Sequence, residues 1–105
     1  IKTSGYRVSP TEVEEAAFAS GCISEGAAIG VDDDRLGQKI VLVATQAANG
    51  TGDTDALLAL LRSQLPAYMV PAAIEWRQDL PRNPNGKIDR RVLETELAKG
   101  TDRDD

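Results

Sequence analysis

Ala27-Ala28-Ile29-Gly30-Val31 and Ile40-Val41-Leu42-Val43-Ala44, divided by Asp32-Asp33-Asp34-Arg35-Leu36-Gly37, decide the fold of this 105-residue chain. Each apolar run is too short for a buried helix, and the polar turn between them marks two buried strands. The acidic turn solvates the connection. Three adjacent carboxylates can suggest a hard-cation site, but the spaced ligand set of a calcium loop is missing, so no metal site is expected.

Upstream of the strands, Ser9-Pro10-Thr11-Glu12 is a strong helix start. Ser9 stands at the N-cap, Pro10 at N1 where its missing N–H costs nothing, and Glu12 at the place that completes a capping box. Val8 and Val13 are spaced as a hydrophobic staple, and Gly21 stops the helix after about Ser20. Residues 1–8, Ile-Lys-Thr-Ser-Gly-Tyr-Arg-Val, read as a short hairpin or extended segment with Gly5 at its bend.

Downstream, the polar loop Ala48-Asn49-Gly50-Thr51-Gly52 leads to Asp53 or Thr54 as the cap of a second helix. Leu57, Leu58, Leu60, Leu61 and Leu65 give that helix one broad apolar face, assigned to the core, and Pro66 ends it. A third strand is expected from Ala73 to Arg77, with Ile74 and Trp76 on one face. A proline-punctuated loop, Leu80 to Lys87, precedes a final helix capped by Asp89, with Val92, Leu93 and Leu97 along one side. Gly100 opens an acidic tail, and residues 99–105 are expected to be flexible. This order predicts a small α+β domain: a sheet of about three strands with helices packed on it, preceded by a short β-hairpin.

A chain of this length with 41% apolar residues closes one hydrophobic core. Its net charge of −5 argues against nucleic acid or an anionic membrane as the main partner. Without histidine, no His–carboxylate pair, Cys–His pair or histidine metal ligand can form. The single Cys22 cannot make an internal disulfide, which fits a reducing, cytoplasmic compartment. No apolar stretch approaches the roughly 20 residues that cross a bilayer as a helix, and no signal peptide is visible. Ile1 begins in mid-strand, as in the downstream piece of a longer chain.

The charge is unevenly spread. Between Arg77 and Arg91 stand five positive residues (Arg77, Arg82, Lys87, Arg90, Arg91) and two negative ones (Asp79, Asp89), a local +3 on an acidic body. That suits a small phosphorylated ligand better than a long polyanion. Lys87 is set apart by its surroundings: Asn85-Gly86 favours a positive φ, and Pro81 and Pro84 stiffen the approach. The spacing of a P-loop is absent.

Three ordered segments carry a resemblance. Pro81-Arg82-Asn83-Pro84-Asn85-Gly86-Lys87-Ile88-Asp89-Arg90 resembles the last motif of the adenylate-forming enzymes, which include acyl-CoA synthetases, firefly luciferase and peptide-synthetase adenylation domains. Ile1 to Pro10, with Glu12 and Glu14, is similar to the motif that opens their mobile C-terminal domain, and Leu65-Pro66-Ala67-Tyr68-Met69-Val70-Pro71 to the segment between. The likeness spans about residues 1–98. It implies the mobile C-terminal domain of an AMP-forming ligase, following a large N-terminal domain and a hinge that would precede Ile1. ATP with Mg, bound mainly by that N-terminal domain, and a carboxylic acid would form an acyl-adenylate; the acyl group would then pass to CoA.

By the same resemblance, Lys87 matches the lysine that enters the active site during adenylation, with Asn85 and Gly86 supporting its loop. Gly5 matches the glycine that leaves room for the pantetheine arm after the domain has rotated. Lys2 matches a lysine that approaches in this second pose, and Arg7 is placed to meet a CoA phosphate. Trp76 and Tyr68 are assigned to packing. Ser4-Gly5-Tyr6-Arg7-Val8-Ser9-Pro10 is closer to the CoA ligases than to the peptide-synthetase pattern. The alternatives are a domain that loads a phosphopantetheinyl carrier protein and a non-catalytic interaction module of the same fold. Alone, the chain is expected to be catalytically inert.

Overall fold

The computed structural model describes residues 1–3, 5–35, 37–48, 50 and 52–103, so Ser4, Leu36, Asn49 and Thr51 of the expected turns lie outside the described residues. Along the chain run β1 (Lys2–Thr3), β2 (Tyr6–Arg7), α1 (Pro10–Ala19), β3 (Ile23–Asp33), β4 (Gly37–Gln46), α2 (Thr54–Gln64), a 3₁₀ turn (Ala67–Met69), β5 (Ala73–Arg77) and α3 (Arg90–Arg103). The α+β architecture matches the sequence reading.

β3 and β4 pair antiparallel, with Ala27 opposite Val43, Ala28 opposite Leu42 and Ile29 opposite Val41. Both strands are apolar without alternation because both faces of the sheet are covered. Ala27, Ile29, Val31, Val41 and Val43 pack against Leu80 and Leu93, the latter from α3. On the other face Leu42 and Ala44 meet Ala17 of α1 and Leu57 and Leu61 of α2. Each fully buried leucine contributes about 1.5–3 kcal/mol relative to exposure. The ladder runs beyond both apolar runs, and the backbone N–H of Arg35 donates to Asp33 Oδ1 at 2.9 Å. That acidic turn is built by an Asx bond. β5 adds to β4 in parallel, from Val41 opposite Ala73 to Thr45 opposite Arg77, so the sheet order is β3-β4-β5. The parallel pairing requires a crossover, which α2 supplies. Ile74 and Trp76 face α2 as expected, and Trp76 Nε1 donates to Thr54 Oγ1 at 2.9 Å.

Several local expectations are corrected. Ser9 is the N-cap of α1, but its side chain makes no capping bond and the capping box does not form. Pro10 and the staple set the entry angle instead: Val8 and Val13 are buried together with Met69. Asp53 does cap α2, accepting from Ala56 N at 3.0 Å. The apolar face of α2 is narrower than the leucine pattern, since Leu57 and Leu61 are buried while Leu60 is 43% exposed. A three-stranded sheet offers each helix only a narrow strip to cover. Val92 of α3 is exposed for the same reason, while Leu93 is buried. The backbone of α3 continues through Gly100 to Arg103, into the stretch expected as tail; Asp104 and Asp105 lie outside the described residues.

Candidate functional site

The loop before α3 is a tight hairpin rather than an open connection. Gly86 N donates to Asn83 O at 2.9 Å with Pro84 at the second position, the residue order a type I turn prefers. Gly86 then takes φ +82°, and Asn83 N closes on Lys87 O at 2.8 Å. A turn followed by a left-handed glycine is the three-residue hairpin with a bulge. Asn83 Oδ1 accepts the backbone N–H groups of both Asn85 and Lys87, at 2.9 and 3.1 Å. The side chain that braces the turn is therefore Asn83's, and Asn85 enters through its backbone. Arg82 and Ile88 form an antiparallel bridge at the base, and Asp89 N donates to Pro81 O at 2.8 Å. Underneath, Ile88 packs against Leu80 and Leu93. Asp89 Oδ1 then caps α3 by accepting from Val92 N at 3.2 Å.

The local +3 is not a free cationic patch. Arg77 is held by Glu75 and Glu96, each at 2.6 Å. Partial burial lowers its pKa, but the hydrogen bonds to Glu96 and Glu75 and their Coulombic attraction outweigh this and raise it above the ordinary value. Arg82 pairs with Glu25 and donates to Gly86 O at 3.0 Å. Arg90 pairs with Glu14 at 2.6 Å. Among the described residues, Lys87 has neither an ion pair nor a side-chain hydrogen bond, and it is exposed. The loop thus presents one free ammonium from a braced base, with Arg77, Arg82 and Arg90 already paired, while Arg91, exposed on α3, has no ion pair among the described residues.

The opening hairpin is a second locus. Lys2 stands opposite Arg7 and Thr3 opposite Tyr6, with Gly5 at φ +84° in the turn. Lys2 and Arg7 face each other across the strands, and no carboxylate among the described residues is bonded to either, an arrangement that repels itself unless an anion lies between. Both line a groove of about 670 Å³ with Glu12, Gln38 and Tyr68. Tyr68 is not a core residue: its ring stacks on Tyr6 at the surface, centroids 4.1 Å apart. A Cβ built on Gly5 meets nothing within 4 Å, and the same is true at Gly86. Within this domain, both glycines answer to backbone conformation and not to crowding.

The structure groups Lys2 with Arg7 but does not bring Lys87 to their groove, whose lining excludes it. The hairpin is anchored where Lys2 N donates to Gln38 Oε1 at 2.8 Å, and Gln38 pairs with Asp32. The Lys87 loop is anchored by Arg82 on Glu25. Asp32 and Glu25 are seven positions apart on β3, about 23 Å at ~3.3 Å per residue. Sequence reasoning missed Asn83, although Asn-Pro-Asn-Gly is an Asx-turn signature. It also missed the partners of Arg82 and Arg90, which are far away in sequence. Among the described residues, no group of three or more Cys, Asp or Glu could hold a metal ion. No helix among them is long and apolar enough to cross a membrane.

The family profile described as AMP-binding enzyme C-terminal domain matches residues 12–87. A long-chain-fatty-acid–CoA ligase of Bacillus subtilis is 39% identical over 97 residues, covering 91% of this chain and 17% of that ligase. A linear gramicidin synthase from Brevibacillus parabrevis is 37% identical over 94 residues, covering 89% of this chain and 2% of the synthase. Among solved structures, apo MatB from Rhodopseudomonas palustris superimposes with a TM-score of 0.88 at 30% identity, covering 94% of this chain and 20% of MatB. The chain therefore spans about a fifth or less of the length of these relatives.

Proposed function

Since the chain belongs to the AMP-binding enzyme C-terminal domain family, we propose that it is the mobile lid of an AMP-forming acyl-CoA synthetase. The parent enzyme would join ATP and a carboxylic acid to an acyl-adenylate and pyrophosphate, then transfer the acyl group to CoA. In this reading residues 1–98 are the lid, and a large N-terminal domain supplies the acid pocket, most of the ATP site and the Mg²⁺ that accompanies it.

The observation that carries the proposal is the free ammonium of Lys87 on a braced loop whose own arginine, Arg82, is paired, as are Arg77 at the end of β5 and Arg90 at the start of α3. Such a group stabilises charge that redistributes between the attacking carboxylate and the α-phosphate, without having to break a partner first. A compact ammonium on a flexible stem fits between two anions where a planar guanidinium would not. Lys2 and Arg7, mutually repelling beside an aromatic surface, suit the phosphates of CoA in the second half-reaction. Gly5, with open space before it, would leave the pantetheine arm its path against another domain.

In the full-length ligase, Lys87→Ala is expected to slow acyl-adenylate formation, read by pyrophosphate exchange, by about 10². Thioester formation from supplied adenylate should be largely retained; equal slowing of both steps contradicts the role. A carrier-loading enzyme is the second reading, favoured by the 37% identity to the gramicidin synthase. Comparing CoA with a phosphopantetheinyl carrier protein as thiol acceptor decides between them. An interaction module of this fold would show neither half-reaction in its parent chain.

A further inference from the structure

Glu14 lies in α1 and is only 8% exposed. A buried carboxylate is costly unless its oxygens are bonded, and here both are. Ala28 N donates to Oε2 at 2.8 Å, and Arg90 engages both oxygens at 2.6 Å, Nη1 on Oε2 and Nη2 on Oε1. Arg90 Nη1 also donates to Ala28 O at 3.3 Å. β3 is an edge strand, so Ala28 turns its backbone N–H and C=O outward, and the pair satisfies both. Three elements distant in sequence, α1, β3 and the start of α3, meet at one fork.

Arg90 is the first residue of α3 and follows Lys87 by three positions. We propose that Glu14 and Arg90 are positioning residues for Lys87: their fork sets the rotation of α3 against β3 and so the direction in which the Lys87 loop projects. This rests on the adenylation role proposed above for Lys87. The apolar contacts of Leu93 and Leu97 hold α3 on the sheet but are non-directional. A bidentate guanidinium–carboxylate pair adds the missing angular constraint. Arg82 on Glu25 ties the other limb of the loop to the same strand, so both limbs are referenced to β3 and the Lys87 side chain between them is left unbonded.

The test uses the full-length ligase with Glu14→Gln, which keeps an acceptor for Ala28 N–H, and Arg90→Lys, which keeps the charge but loses the fork. Each should slow adenylation about tenfold at saturating ATP and acid, as small misplacement of a reacting group does. Thioester formation from supplied adenylate should change less than about twofold, since Lys87 has no part in that step. Combined with Lys87→Ala, neither should slow adenylation further, because the group they position is gone. Additive slowing in the double variants, or equal loss in both half-reactions, overturns the proposal and leaves the pair a purely structural tie. If Lys87→Ala alone leaves adenylation intact, the assignment of Lys87 itself has failed, and that single variant shows it. Should Glu14→Gln not fold, Arg90→Lys carries the same comparison.

Discussion

The Lys87 loop and the Gly5 hairpin are both tight turns built on a left-handed glycine, yet they are held in opposite ways. The loop is braced from within by Asn83, Arg82 and the bridge at its base, and from outside by Glu25 and Glu14. The hairpin has two-residue strands, a closing pair at its base where Val8 N donates to Ile1 O at 2.7 Å, one bond outward from Lys2 N to Gln38, and a tyrosine stack on its surface. In one, Arg82 is paired within the structure and Lys87 is the cation of the loop left over. In the other, two cations are left facing each other and the functional feature proposed is an absent side chain. If the proposed roles hold, the difference is that a presented charge needs a rigid mount, whereas a passage needs only clearance.

The sharpest way to break this comparison is a crossed pair of variants in the proposed full-length ligase. Lys87→Ala should cost about 10² in adenylation and little in thioester formation. Gly5→Leu should do the reverse, sparing pyrophosphate exchange and blocking thiol transfer. A side chain at Gly5 meets nothing in this domain, so such a block would report a surface of another domain. Gly5→Asn is the control for backbone strain, since asparagine tolerates the left-handed region. Normal CoA-ester turnover in Gly5→Leu would refute the passage.

A smaller effect should follow from Asn83→Ala, which strips the acceptor from two backbone N–H groups. About 1–2 kcal/mol of local loop stability is at stake, and faster amide hydrogen exchange at Asn85 and Lys87 would read it out. Adenylation should fall severalfold, and unchanged exchange at both amides would remove Asn83 from the mount. Smallest of all, Tyr68→Ala should cost about 0.5–1.5 kcal/mol through loss of the stack on Tyr6. Thermal unfolding measures that loss, and adenylation should be untouched. A large drop in adenylation would mean that the hairpin and the loop are coupled after all.

Much of this was legible in sequence because it is local. The strands from Ala27 and Ile40 declared themselves by length and flanking turns, Asp89 by its capping position, the cap of α2 as either Asp53 or Thr54, and Gly5 and Gly86 by the turns around them. The exposure of Leu60, on a helix whose Leu57 and Leu61 are buried and whose flanking Leu65 packs on the core, was not legible, because periodicity shows which residues share a face and not how much sheet lies beneath it. The capping box failed at Ser9 because a cap signature records capacity, and Pro10 with the Val8–Val13 staple already defines that helix end. The 3₁₀ turn at Ala67–Met69 and the parallel placement of β5 carried no periodic signal.

The candidate site divides along the same line. By itself the sequence determined which residue types stand at each turn, that Lys87 follows a left-handed glycine, and that cations gather before the last helix, since these depend on neighbours a few positions apart. Only the tertiary structure decided which of those cations remain free. Arg82 is neutralised by Glu25 and Arg90 by Glu14, partners 57 and 76 positions away. Such pairing is set by how helices and strands pack, and charge counted along a chain cannot distinguish an arginine already engaged in the fold from a lysine left to meet a ligand.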